Sequence, residues 1–317
     1  GKVFMNPLRP VSRRSFLSKT AAVAAAATAP LGTFAQEGIM SRPIPGTNVQ
    51  LPMVGSGSPD FFYSTPEGNT NSAAAALIQT MYNSGGRVID TPAFFRPDPP
   101  VLGQIIQDLG IQDELFLMGK ITVDGREAAQ QHLDLTISNL GRDYIDVMML
   151  HNLRDAENTW PVLEQAKAEG KVRYIGVSEA TDRISNEVLE EFMLSHDVDF
   201  LMTSYSMFRP QIEERILPLA ADQGVGVCAI EVFKTLDDGA YFTITSGHEL
   251  PEWAADFDCD SWAQFALKYV LSHPAITCTV VETSRPRNML DNLGAARGRM
   301  PDQATRARMY DHFQSLK

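Results

Sequence analysis

An eight-stranded parallel barrel with a helix after each strand, an α/β fold of the (β/α)8 TIM-barrel type, is the fold class that the sequence predicts. Three observations carry it. From residue 42 onward, short β-rich apolar runs alternate with runs of helical period. The alternation repeats eight times over about 275 residues, the usual size of a closed barrel. The glycine fingerprint expected after the first strand of an open, doubly wound sheet is missing, since GSGSPDFF lacks its final glycine.

The elements follow in order. Residues 42–57 (RPIPGTNVQLPMVGSG) read as a short hairpin leading into the first barrel strand, and SAAAALIQTMYNSG as a helix that stops at Gly85-Gly86. RVIDT is the second strand, PPVLGQIIQDLG a helix, and LFLMGKI the third strand. REAAQQHLDLTISNLG carries apolar residues three and four apart and precedes the strand DVMMLH. TWPVLEQAKAEG, VRYIGVS, ISNEVLEEFMLSH, FLMTSYS, QIEERILPLAADQ and VGVCAI continue the alternation. An excursion over roughly 233–260 comes before the helix SWAQFALKYVLSH, the strand ITCTVV and the helix RNMLDNLGAA. A last helix follows Pro301.

The first 35 residues read as a signal peptide and residues 36–317 as the barrel domain. The leader has a basic stretch (SRRSFLSK), an alanine-rich apolar stretch and a small-residue end near Thr33-Phe34-Ala35. Arg13-Arg14 followed by Phe16-Leu17 resembles the twin-arginine signal, which implies export of a folded chain to a periplasmic or other extracytoplasmic compartment. An ordinary basic amphipathic leader is the alternative.

The formal net charge is −12, and five basic residues but no acid lie in the leader, so the remainder is more acidic still. Such a surface repels nucleic acid and anionic lipid, which argues against both as partners. Of the three cysteines, Cys228 and Cys278 sit in apolar β-rich runs and Cys259 stands apart; no spacing suggests a metal. Small core residues are the plain reading, and a Cys228–Cys278 disulfide is the alternative.

Reactive groups of such barrels stand at the C-terminal ends of strands. Those positions hold Asp90 after the second strand, Lys120 after the third and His151 after the fourth. An acid, a lysine and a histidine at three successive strand ends are expected to converge on one mouth.

The segments IDTPAFF, LFLMGKI, DYIDVMMLHN, GKVRYIGVS and TSRPRNMLDNL resemble the aldo/keto reductases in order and spacing, from about residue 42 to the end. LPEWAADFDCDSWAQFALKYVLSHP is similar to the exported twin-arginine branch of that family. The resemblance implies NADP(H) as cofactor, a small-molecule carbonyl as substrate, and hydride transfer with protonation by a tyrosine that a lysine and an aspartate tune and a histidine assists. Asp90, Lys120 and His151 match three of these four roles. The tyrosine position, five residues after the aspartate, is Phe95, followed by Arg96 where glycine is usual. Lys120, His151, Tyr63 and Tyr205 are the residues that remain as substitute proton donors.

The cofactor positions implied by the resemblance have changed as well. Ser178 remains, but Glu179 follows it in place of Asn or His, and Met202 stands where a glutamine holds the carboxamide. Glu231 replaces an arginine after the seventh strand, Lys234-Thr235-Leu236 replaces a glycine cluster, and Glu282 stands beside the expected pyrophosphate. Thr283, Ser284, Arg285 and Asn292, with Arg287 nearby, either hold an adenosine phosphate at a helix N-terminus or form an ordinary cap with surface arginines. Asp291 either contacts an adenine or faces solvent.

Three functions stay open on these residues. One is a pseudoenzyme whose barrel mouth binds a ligand or partner. Another is an active oxidoreductase exported with NADP(H) already loaded, using Lys120 or His151 as proton donor. The last is an accessory subunit bound to a partner protein in an exported redox complex.

Overall fold

The computed structural model describes residues 38–58, 62, 72–93, 100–180, 183–234 and 240–317. The leader of residues 1–35, Tyr63, Phe95, Arg96, Thr235 and Leu236 lie outside the described residues.

The chain enters through an antiparallel hairpin, β1 (Ser41–Pro43) against β2 (Gln50–Pro52), in which Arg42 faces Leu51. Eight parallel strands then close into a barrel. They are β3 (Val54–Ser56), β4 (Val88–Asp90), β5 (Phe116–Ile121), β6 (Ile145–His151), β7 (Val172–Glu179), β8 (Phe200–Ser204), β9 (Gly226–Ile230) and β10 (Cys278–Val281). Neighbours pair in sequence order, and β10 closes the ring by pairing with both β9 and β3. The hairpin and all eight barrel strands lie where the sequence predicts them.

Around the barrel run α1 (Ser72–Asn83), α2 (Leu102–Asp108), α3 (Arg126–Asn139), α4 (Ala156–Ala168), α5 (Asn186–Ser195), α6 (Ile216–Gln223), α8 (Trp262–Leu271), α9 (Pro286–Gly294) and α10 (Gln303–Ser315), with α7 (Ala240–Thr245) inside the long excursion. Local chemistry sets several starts: Ser185, Ser261 and Asp302 each accept a backbone N–H as N-caps of α5, α8 and α10. Two stretches differ from expectation. The helix predicted over 211–223 is broken into a 3-10 turn, Pro210–Glu213, and α6, where Glu213 turns into a buried polar network described below. The 233–260 excursion, left without elements in the sequence reading, contains α7 and a second 3-10 turn, Glu252–Phe257.

Two apolar layers hold the fold. One lies between sheet and helices, from Leu77 of α1 and Leu133 of α3 round to Met289 and Phe313. The other fills the barrel itself with Val88, Phe116, Met118, Val147, Met149, Phe200, Met202, Cys228, Cys278 and Val280, and Ile44, Val49 and Leu51 of the hairpin segment stopper its N-terminal end. Cys228 and Cys278 are register partners on β9 and β10, both fully buried with free thiols, as is the nearly buried Cys259. They serve as small core residues, and burial pushes the Cys228 thiol up.

Glycine makes room for this interior. A Cβ on Gly176 would stand 2.1 Å from the Phe200 carbonyl oxygen, and one on Gly226 would stand 2.7 Å from the Phe200 ring. Gly176→Ala is therefore expected to cost about 1–3 kcal/mol through overpacking. Denaturant unfolding against the parent chain measures it, and an unchanged midpoint would contradict this packing.

Candidate functional site

Side chains of a strand alternate between its two faces, so the filling of the barrel dictates what reaches its mouth. Phe116 and Met118 point inward, hence so does Lys120; Val88 precedes Asp90, and Val147 and Met149 precede His151. All three predicted residues border one cavity of about 540 Å3 at the C-terminal ends of the strands. Met202 and Val280 also line it, together with Ile230, Glu231, Val232, Phe233, Lys234 and Phe242.

Lys120 Nζ forms an ion pair with Asp90 Oδ1, with the two side chains 13% and 9% exposed. The Ser58 hydroxyl donates to the Asp90 carbonyl at 2.5 Å. His151 is clamped on both ring nitrogens. Its Nδ1 lies 2.6 Å from Ser178 Oγ, and its Nε2 lies 3.1 Å from Asn152 Nδ2. Asn152 Oδ1 accepts the Ala180 N–H at 3.2 Å, which leaves the amide NH2 turned toward the ring. Nε2 is therefore the acceptor, and Nδ1–H donates to Ser178. Asn152 holds this position with φ 51°, followed by Leu153 at φ 50° and Asp155 at φ 48°, a left-handed stretch that costs free energy in non-glycine residues. Burial, then the charges of Lys120 and Arg183, push the His151 pKa down to about 4. The ring is neutral at pH 7, which argues against His151 as proton donor.

The predicted cofactor residues do not line this cavity. Ser178 is fully buried with its hydroxyl against His151. Thr283, Ser284 and Arg285 run into the N-terminus of α9, where Thr283 Oγ1 accepts the Arg285 N–H at 3.2 Å; Ser284, Arg285 and Arg287 are exposed, and Asn292 is buried. Asp291 is half-buried. It accepts from Ser261 Oγ (2.8 Å) and Gln264 Nε2 (2.9 Å), tying α9 to the start of α8.

Glu179, Glu231 and Glu282 are internally paired. Glu179 is 1% exposed and accepts from Thr203 Oγ1 (2.9 Å) and from Arg209 Nη1 (3.2 Å to each oxygen). Glu231, at φ 58°, takes the Ser204 hydroxyl. Glu282 stands 3.6 Å from Lys234 Nζ, and partial burial at the rim raises its carboxyl above the usual range. Tyr205 is not available to the site. It is fully buried, donating to Glu213 Oε1 and accepting from Arg306 Nη2, both at 2.5 Å, and burial pushes its hydroxyl pKa up. Sequence reasoning missed Ser58, Asn152, Phe233 and Phe242. Asn152 beside His151 was a readable signal; Phe242 had none, because α7 lies in the unassigned excursion.

Residues 54–307 match the aldo/keto reductase family. The chain belongs to that family. It is 25% identical over 197 residues to aldo-keto reductase YhdN of Bacillus subtilis (57% of this chain, 58% of that one), and 26% identical over 237 residues to the glyoxal reductase of the same organism (72% and 78%). The matched stretch thus spans little more than half of the first relative. Among solved structures, the Klebsiella pneumoniae aldo/keto reductase in complex with NADP and acetate superposes with a TM-score of 0.69 at 21% identity, covering 87% of this chain and 96% of that one.

NADP(H) is the cofactor that the family implies, and the residues present fit it at one end only. Exposed Ser284, Arg285 and Arg287 at the start of α9 suit a phosphate. At the nicotinamide end, Ser178 and Glu179 are engaged inside the protein and Met202 cannot bond a carboxamide.

Two outcomes test this arrangement. Because the folded His151 pKa lies below its unfolded value near 6.5, the unfolded state binds the extra proton between pH 6.5 and 4. Stability is therefore lost as pH falls through that window, by up to about 3 kcal/mol from this residue. His151→Gln should flatten that part of the stability–pH curve; an unaltered slope would refute the neutral ring. Arg209→Met should cost about 3–5 kcal/mol by stranding the buried Glu179 carboxylate, read by thermal or denaturant unfolding.

Proposed function

We propose that this chain is a diverged aldo/keto reductase that binds a small ligand at its barrel mouth and has weak or no carbonyl-reducing activity. The observation that carries this reading is the state of the three carboxamide positions. Ser178 bonds His151, Glu179 bonds Thr203 and Arg209, and Met202 offers a thioether. A nicotinamide ring would find no amide partner there. The substitution of Phe95 for the tyrosine points the same way, since a positioned acid typically contributes about 10²–10⁴-fold.

An active NADP(H)-dependent oxidoreductase is the second reading, supported by the retained Asp90–Lys120 ion pair at the cavity and by the NADP complex of the Klebsiella relative. In it Lys120 supplies the proton, because His151 is neutral and bonded at both nitrogens. The leader sequence supports export in either reading, through the twin-arginine route to the periplasm. A role as accessory subunit of an exported redox complex rests on that leader alone.

Titration of the protein with NADPH, followed by heat or fluorescence, is expected to give no saturation below about 1 mM. Micromolar binding would overturn the pseudoenzyme reading in favour of the oxidoreductase. Phe95→Tyr is expected to raise glyoxal reduction by less than about tenfold, because the carboxamide end stays incomplete. A larger gain would locate the defect in the missing phenol alone.

A further inference from the structure

A second cavity, of about 330 Å3, lies among the elements that surround the barrel. α10 presents one stripe of its surface to it, Gln303, Arg306, Ala307 and Tyr310, at helical positions i, i+3, i+4 and i+7. The 3-10 turn after β8 adds Pro210 and Glu213, and α8 adds Tyr269. None of these residues borders the cavity at the barrel mouth.

Arg306 is 8% exposed, and its guanidinium is only partly spent inside the protein. Nε donates to the Tyr269 carbonyl at 3.1 Å, and Nη2 donates to the Tyr205 hydroxyl oxygen and to Glu213 Oε1 at 2.5 and 2.9 Å. Nη1 has no acceptor among the described residues. A buried cation with unpaired N–H groups beside a cavity calls for an acceptor within it. Glu213 has the matching deficit. Its Oε1 takes Tyr205, Tyr269 and Arg306, whereas Oε2 takes no donor among the described residues. Burial works against the charge, yet the Tyr205 hydroxyl and the Arg306 guanidinium hold the carboxyl below its usual range. Glu213 is therefore an anion that accepts only. Because Nη2 and Oε1 are 2.9 Å apart, the free ends Nη1 and Oε2 lie within reach of one small molecule.

The two charges restrict the occupant. A plain anion is drawn to Arg306 and repelled by Glu213, and a plain cation meets the reverse. We propose that this cavity binds a free α-amino acid, its carboxylate on Arg306 Nη1 and its ammonium on Glu213 Oε2. Bonds between ionised partners of this kind are the strong ones. Tyr310 and Pro210 form the wall that receives an aromatic or branched side chain.

L-Phenylalanine, 3-phenylpropanoate and 2-phenylethylamine share a ring and differ in their charged heads. Each is titrated calorimetrically into the full chain. Phenylalanine is expected to bind with a Kd at or below about 1 mM, and each single-headed analogue at least about tenfold more weakly. Ala307→Trp, on the exposed side of α10, fills the groove without touching the buried network. It should abolish phenylalanine binding while the thermal midpoint stays unchanged. Glu213→Gln keeps an oxygen for Tyr205 and Tyr269, and should bring phenylalanine and 3-phenylpropanoate within about twofold of each other. Parental affinity in Ala307→Trp places the amino acid elsewhere and overturns the site. Equal affinities for the three compounds, or a preference for phenylalanine that survives Glu213→Gln, overturn the two-headed recognition. No saturation by phenylalanine below about 10 mM overturns the proposal outright.

Discussion

Closing eight short strands into a ring leaves an interior that side chains must fill, and each strand can contribute only every second residue to it. Phe116 and Phe200 occupy much of that space, with glycine at positions 176 and 226 yielding to the Phe200 backbone and ring. The same parity then governs the mouth. With Met118 and Met149 pointing inward, Lys120 and His151 must follow them, and Asp90 follows Val88. The polar site is thus the last layer of an apolar stack. It inherits its geometry from packing rather than from its own hydrogen bonds.

Electrostatics at this layer is settled locally. Asp90 answers Lys120, Glu179 answers Arg209, and Glu231 takes the Ser204 hydroxyl, so no carboxylate among these three is left without a partner. Buried charges that lack such partners are strongly destabilising, so each of these acids comes with a compensating donor. Glu179 is the clearest case: Thr203 on β8 and Arg209 beyond it accommodate the change made at the end of β7. Each of these acids is matched by a donor close at hand. The cavity beside them keeps the Asp90–Lys120 ion pair, an aromatic rim and an apolar floor.

Much of this was legible along the chain. Helix and strand periods marked the barrel, and Asp90, Lys120 and His151 stood out because strand ends are where barrels display chemistry. Other residues take partners that the sequence does not show. Tyr205 looked able to approach the site, yet the turn after β8 commits it to Arg306 and Glu213. Asp291 reads in the sequence as a ligand contact or a surface acid, and the fold adds a staple between α9 and α8. Ser178, a cofactor candidate in the sequence, also holds the His151 ring.

These partnerships share one cause. Periodicity is a local property: it tells which face of a segment is apolar and therefore where each segment turns. That was enough to determine the fold, the hairpin at its base and the identity of the residues at the strand ends. Hydrogen-bond partners are drawn from positions 27 residues away for His151 and Ser178, and 101 away for Tyr205 and Arg306. Their meeting depends on barrel closure, which brings strand ends into one ring. The neutral state of His151, the engagement of Ser178 and Glu179 and the placing of Phe242 over the cavity were therefore decided by the tertiary structure alone.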